Sequence, residues 1–209
     1  MKSSFLVGLF LVHFWAGFVF LTAAKIQADP TEEKTSQLSK QAVQLAVPFE
    51  MQEDPKACGL AVLKMLNGYY NQKLNQAQLD WIRTNSQAGE GVMASELVVV
   101  LRAAEYETAL FQGTLDKEKT GLYYHLDKKR PLIVMITSKD LKNSHYDIIT
   151  GYDPAKSLLL IMDPATGPMT VSTDEFNPAW ERAHNFTLLA VPKKNIAATP
   201  GPAPSPNPK

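Results

Sequence analysis

The sequence contains a single cysteine, Cys58, which stands directly before Gly59 and the apolar run Leu60-Ala61-Val62-Leu63. A thiol at the start of a helix meets unpaired backbone N–H groups and the positive end of the helix dipole, and both favour thiolate over thiol. Gln52 precedes it by six positions. Its side-chain amide and the backbone N–H of Cys58 can converge as donors on the oxyanion that forms when a thiolate attacks a carbonyl. The competing reading of Cys58 is a core thiol, because free cysteine is among the most buried residue types. Its place after a turn, at the edge of the apolar run, favours chemistry.

A thiol nucleophile needs a base, and the sequence has 4 histidines: His13, His125, His145 and His184. His13 lies in an apolar N-terminal stretch. His125 falls in the charged segment Tyr124 to Arg130 and reads as an exposed surface residue, while His184 follows a helical segment and reads as part of its cap. His145 follows the polar loop Lys139 to Ser144 and opens the apolar strand Tyr146-Asp147-Ile148-Ile149. A sheet would hold its imidazole at the rim. Two acids are candidates to orient it. Asp147 shares its strand face by the period of two, and Asp163 ends the next strand and returns across the hairpin to the same rim. The cross-strand position favours Asp163, because a neighbour across the ladder can face the ring, but Asp147 stays open.

The elements that must hold these groups divide the chain in two. The first half reads as helices: a buried one from Cys58 to Asn67 with Asn67-Gly68 as its stop, one opening at Asn75 with a capping box to Gln78, and one from about Ala94 to Ala104. The second half reads as strands at 107–111, 132–137, 145–151, 158–162, 169–172 and 186–191. A helix over 173–182 interrupts them and is announced by Ser172 and Glu175 at capping-box spacing. Helices followed by antiparallel strands make an α+β fold.

Residues 1–24 pair Lys2 with a long apolar run and the small residues Thr22 and Ala24, which predicts a signal peptide or a membrane anchor. A membrane tether through residues 5–24 follows from the anchor option. The charge asymmetry of Lys2 against the acidic run Asp29 to Glu33 places the rest of the chain outside the cytoplasm, periplasmic or extracellular. Residues 25–45 are polar and read as a linker, 46–194 as the folded domain, and 195–209 as a disordered proline-rich tail. With 21 basic and 21 acidic residues there is no charge excess to suggest nucleic acid as a partner. The dispersed histidines give no zinc-ligand spacing, and the chemistry at Cys58 requires no cofactor.

The segments Gln52-x5-Cys58-Gly59, Ser144-His145-Tyr146-Asp147-Ile148-Ile149-Thr150-Gly151-Tyr152-Asp153 and Asp163-Pro164-x2-Gly167 together resemble the double-glycine leader peptidases. These are the bacteriocin-processing peptidases of the papain-like cysteine peptidase superfamily. The resemblance covers about residues 44 to 192. It implies a papain-like fold with the nucleophile at the start of a buried helix packed on an antiparallel sheet. It also implies Gln52 as oxyanion donor, Cys58 as nucleophile, His145 as general base and acid, and Asp163 as orienting acid. Substrates in that family are peptides cut after a paired-glycine leader, usually by a peptidase fused to an exporter in the cytoplasm. This sequence departs in its expected location outside the cytoplasm, in lacking an exporter domain, and in Leu60 following Gly59 where proline is common. The reading is an exported thiol hydrolase of peptide or amide bonds, acting on a peptide or protein substrate. Its rivals are acyl transfer to an amine by the same residues, and a non-catalytic peptide-binding or assembly protein of the cell envelope.

Overall fold

The computed structural model describes residues 37–88 and 91–193. The expected export segment 1–24, part of the expected linker and the proline-rich tail lie outside the described residues. No helix among the described residues is long and apolar enough to cross a membrane.

Helix α1 spans Cys58–Tyr69 and is buried on most of its circumference, with Leu60, Val62, Leu63, Met65 and Leu66 all in the core. It runs past the expected stop. Gly68 is helical, and a Cβ there would lie 2.6 Å from Cγ of Pro48, so this glycine lets the N-terminal segment pack against the helix. Asn71, at φ 52°, ends the helix instead, with Asn71 N–H donating to Gly68 O and Gln72 N–H to Asn67 O, a Schellman closure. Helix α2 spans Gln76–Ala88 and begins with the expected reciprocal bonds between Asn75 and Gln78. Helix α3 spans Ala94–Ala103.

Strand β1 is Val43–Gln44, β2 Tyr106–Gln112, β3 Leu132–Thr137, β4 Ser144–Asp153, β5 Leu158–Asp163, β6 Gly167–Ser172 and β7 Phe186–Pro192. They form one antiparallel sheet in the order β2-β7-β3-β4-β5-β6. β1 pairs with β4 at Gly151 and Tyr152, beyond the point where β3 ends its ladder at Ile149. This corrects the linker boundary: Leu38 onward belongs to the compact unit, and Ser39 is tied to Asp153 through both its N–H and its hydroxyl. A two-residue strand carries too few positions for a period to show.

β4 is the central element. Its residues from Tyr146 to Asp153 are buried without alternation, so both faces of the strand are covered. α1 packs against it. Helix α4, Leu122–Asp127, packs against β4 and β3, while helix α5, Thr173–Arg182, packs against β3 and β6. α5 opens with the expected Ser172–Glu175 capping box.

α4 was not expected, and with it the reading of His125 is corrected. His125 is 5% exposed, grouped on one helical face with the buried Leu122 and Leu126. Its Nε2 bonds to Lys119 O at 3.0 Å, and burial holds its pKa below the ordinary value. His184 takes φ 55° just after α5, and its N–H donates to Glu181 O, which is the capping role expected of it.

Candidate active site

Three backbone features bring the four predicted residues to one rim of the sheet. Cys58 is the first residue of α1, reached by a tight turn in which Ala57 N–H donates to Asp54 O and Lys56 N–H to Asp54 Oδ1. No side chain caps this helix. Its first N–H groups, which have no intrahelical acceptor, therefore remain available beside the thiol. His145 lies near the start of β4. The β4–β5 ladder includes the pair Ile148↔Met162, and one step beyond it Asp147 and Asp163 come opposite each other, just before Pro164 turns the chain.

His145 joins the two sides. Its Nε2 lies 2.8 Å from Asp163 Oδ1 and donates to that carboxylate. Its ring is also coupled to the Cys58 side chain, the first of the influences that raise its pKa. Asp163 is held in turn by the Ala165 N–H and the Thr166 hydroxyl, each at 2.7 Å. Burial works to raise its pKa, but the Thr166 hydroxyl, the Ala165 N–H and the imidazole outweigh this and keep the carboxyl below its ordinary value. For His145, burial pulls the pKa down. The Cys58 contact, the charge of Asp147 and the Asp163 hydrogen bond oppose it and push the imidazole up to about 9.

Asp147 is closer to the ring than the strand period suggested. Its Oδ1 lies 3.4 Å from His145 Nε2, its side chain is 4% exposed, and that oxygen has no hydrogen-bond partner. Burial pushes its pKa up to about 7, with the His145 charge opposing and the Asp163 charge adding to the rise. The ligating atoms of His145, Asp147 and Asp163 all lie within 4.8 Å of one another. Asp163 accepts from Nε2, so that nitrogen carries a proton and offers no lone pair, and the cluster is a hydrogen-bonded imidazole with two acids.

Gln52 sits at the same rim. Its backbone N–H donates to Pro164 O at 2.9 Å, next to Asp163, and its side-chain Nε2 donates to Asp54 O at 2.9 Å, in the turn that delivers Cys58. One of its two amide protons is thus spent on the turn, and Oε1 is buried without a partner. Cys58 is 7% exposed, so little of the residue reaches solvent. A cavity of about 480 Å³ lies along β1, β5 and β6 and is lined by none of the four residues.

Apolar surface flanks the rim. Met51 (61% exposed) adjoins Gln52, and Met93 (64% exposed) follows Val92, whose Cβ lies 3.0 Å from where a Cβ on Gly59 would be. Spacing alone does not announce this loop, because Val92 and Met93 are distant in sequence from Cys58.

Residues 46–195 match the model of the peptidase C39 family. The chain belongs to that family. By family it is a cysteine peptidase, and the α+β, papain-like expectation holds. Among curated relatives of this C39 chain, the mesentericin-Y105 transport/processing ATP-binding protein MesD of Leuconostoc mesenteroides is 27% identical over 135 residues. That match covers 64% of this chain and 18% of MesD, so the C39 chain spans about a fifth of that relative. The peptidase domain of Streptococcus ComA has a similar structure, with TM-score 0.56 and 22% identity, covering 70% of this chain and 99% of that one. A double glycine motif protease from an AMS/PCAT transporter, solved in complex with its leader peptide, also gives 0.56 at 22% identity, covering 74% and 100%. A C39-like peptidase from Bacillus anthracis gives 0.59 at 18% identity, covering 73% and 98%. These likenesses show a shared fold.

Proposed function

We propose that this C39 chain is an exported thiol hydrolase that cleaves peptide bonds through Cys58, His145 and Asp163. The observation that carries the reading is the position of His145, held by Asp163 at 2.8 Å and coupled to Cys58 at the start of α1. The Cys58 thiolate attacks the scissile carbonyl carbon, and the oxyanion is met by the uncapped N–H groups of α1 and the second amide proton of Gln52. The imidazolium gives its proton to the leaving amine as the C–N bond breaks, leaving a thioester on Sγ. Neutral His145 then takes a proton from water, whose oxygen attacks the thioester. The carboxyl product leaves and the thiolate–imidazolium pair is restored.

The exposed Met51 and Met93 beside the rim suit an apolar segment of a peptide. The leader-peptide complex of the related protease makes a paired-glycine peptide the first substrate to try. Export and a periplasmic or extracellular location, with a tether through residues 5–24 if the apolar stretch is retained, rest on the Lys2-led N-terminus.

A second reading, peptide binding without turnover, is favoured by the low exposure of Cys58 and by the tie of Gln52 to Asp54. One experiment separates the readings: the purified full-length chain is incubated with a paired-glycine peptide, with and without added amine, and the products are read by mass spectrometry. Hydrolysis gives a free carboxyl terminus after the glycines, and acyl transfer gives the amide of the added amine. Both are lost in Cys58→Ser, by a factor on the order of 10⁴ or more. Binding with no product from the wild-type chain supports the non-catalytic reading.

A further inference from the structure

We propose that Asp147 is a second positioning carboxylate for His145, sharing the Nε2 side of the ring with Asp163 and supplying the counter-charge on its buried flank. This rests on the reading of His145 as the catalytic base and adds a residue to it. The geometry is specific. Asp147 and Asp163 come opposite one another beyond the last β4–β5 pair, and both direct an oxygen at Nε2, at 3.4 and 2.8 Å. They differ in everything else. Asp163 accepts from Ala165 N–H and Thr166 Oγ1, whereas Asp147 is 3% exposed and its Oδ1 has no donor.

A carboxylate in that position is stabilised as an anion chiefly by the positive charge of the ring beside it. Ionised Asp147 and protonated His145 therefore favour each other, and burial disfavours either charge alone. The groups that face His145 are Cys58 from α1, Asp147 from its own strand and Asp163 from the end of β5. Those facing Asp147 are His145 and Asp163, with the apolar Val134 of β3 opposite it in the ladder. The charge of Glu96 in α3 acts on the neighbouring Tyr146. Asp163 thus fixes the ring's direction by a hydrogen bond, and Asp147 acts on the ring's charge. In support, burial raises the Asp147 carboxyl to about 7, well above the ordinary carboxylate range and toward the raised imidazole.

The test is carbon NMR of the full-length chain, with the His145 ring and the Asp147 carboxyl followed against pH, which needs no substrate. In the wild type the two signals should move together, because each senses the other's charge. In Asp147→Asn, the same size without the charge, the His145 midpoint should fall by about one pH unit or more. Asp147→Val, which suits the apolar strand, should lower it equally while leaving the fold intact. An Asp147 carboxyl that titrates in the ordinary range without moving the ring overturns the proposal. So does a His145 midpoint unchanged in the variants. Neither result depends on turnover, so failure here is distinct from failure of the hydrolase reading, which Cys58→Ser tests.

Discussion

His145 and Asp163 are held together at 2.8 Å by two strands that turn into one another, and the contact is made where the β4–β5 ladder gives way to the Pro164 turn. The sheet fixes the imidazole and the turn fixes the acid. Ala165 N–H donates to the same Oδ1 and the Thr166 hydroxyl to Oδ2, so neither partner has to be ordered when substrate arrives.

Replacing Asp163 by Ala should therefore lower kcat strongly, on the order of 10²-fold or more, with the fold retained. Asp163→Asn should be milder, because its oxygen can still accept from Nε2. Asp147→Ala should act less on kcat than Asp163→Ala, since its contact at 3.4 Å does not fix the ring's direction. Steady-state kinetics on a cleaved peptide, alongside thermal melts, reads the ranking. The reverse order would sink the assignment of Asp163 as orienting acid.

The pH dependence follows from the raised His145 pKa. The imidazolium is the acid that protonates the leaving amine, so kcat should hold through neutrality and decline as pH rises through about 9. Stability carries the same sign. A pKa raised from 6.5 to about 9 contributes stability that is complete below 6.5 and lost as pH rises through about 9. A rate that begins to fall near 6.5 would show an unperturbed imidazole. Asp163→Asn should move the alkaline decline to lower pH.

The hairpin that brings Asp163 to His145 was legible because two apolar runs flank the Asp153-Pro154 turn, and the period of two then sets which ends meet. Cys58 was legible as a helix start from the apolar run after it. Gly68 misled because glycine after an apolar run usually ends a helix, whereas here its missing Cβ makes room for Pro48. His125 misled because its neighbours in sequence are charged, although Leu122, His125 and Leu126 share one helical face. The approach of Asp147 to Nε2 depends on side-chain lean within one strand, and alternation alone does not encode that.

Gly151 tests whether β1 belongs to the domain. A Cβ there would meet the backbone of Val43 and Gln44, neither of which can move without breaking the β1–β4 pairs. Gly151→Ala should destabilise the chain by roughly 1–3 kcal/mol. Hydrogen exchange should show the loss at residues 43–45, where Leu45 N–H otherwise donates to Thr150 O at 2.7 Å. Unchanged protection there would mean that the strand is dispensable.

Export is checked with a reporter fused after Asn195. Activity of a reporter that works only outside the cytoplasm is expected, since the Lys2-led apolar stretch is followed by the acidic run Asp29 to Glu33. Fractionation then separates tether from cleavage. A retained stretch takes the chain to the membrane, and a cut after Ala24 leaves a mature chain that begins near Lys25. Activity confined to a cytoplasm-only reporter would contradict the expectation.

Gln52 has two tasks that a substitution can separate. Its Nε2 donates one proton to Asp54 O and so braces the turn that delivers Cys58, while the other proton is free to meet an oxyanion. If only the brace matters, Gln52→Ala should lower stability by about 1 kcal/mol and change kcat little. If the second proton stabilises the oxyanion, kcat should also fall on the order of 10²–10³-fold with KM nearly unchanged, as for loss of an interaction made in the transition state. We expect the second outcome, because the uncapped N-terminus of α1 and the Gln52 amide lie on either side of the same turn. Gln52→Glu gives the sharper reading. It cannot donate to Asp54 O when ionised and would oppose a developing negative charge, so its kcat should fall further than that of Gln52→Ala. A Gln52→Glu chain as active as the wild type would remove Gln52 from the oxyanion site and leave the α1 N–H groups to hold it alone.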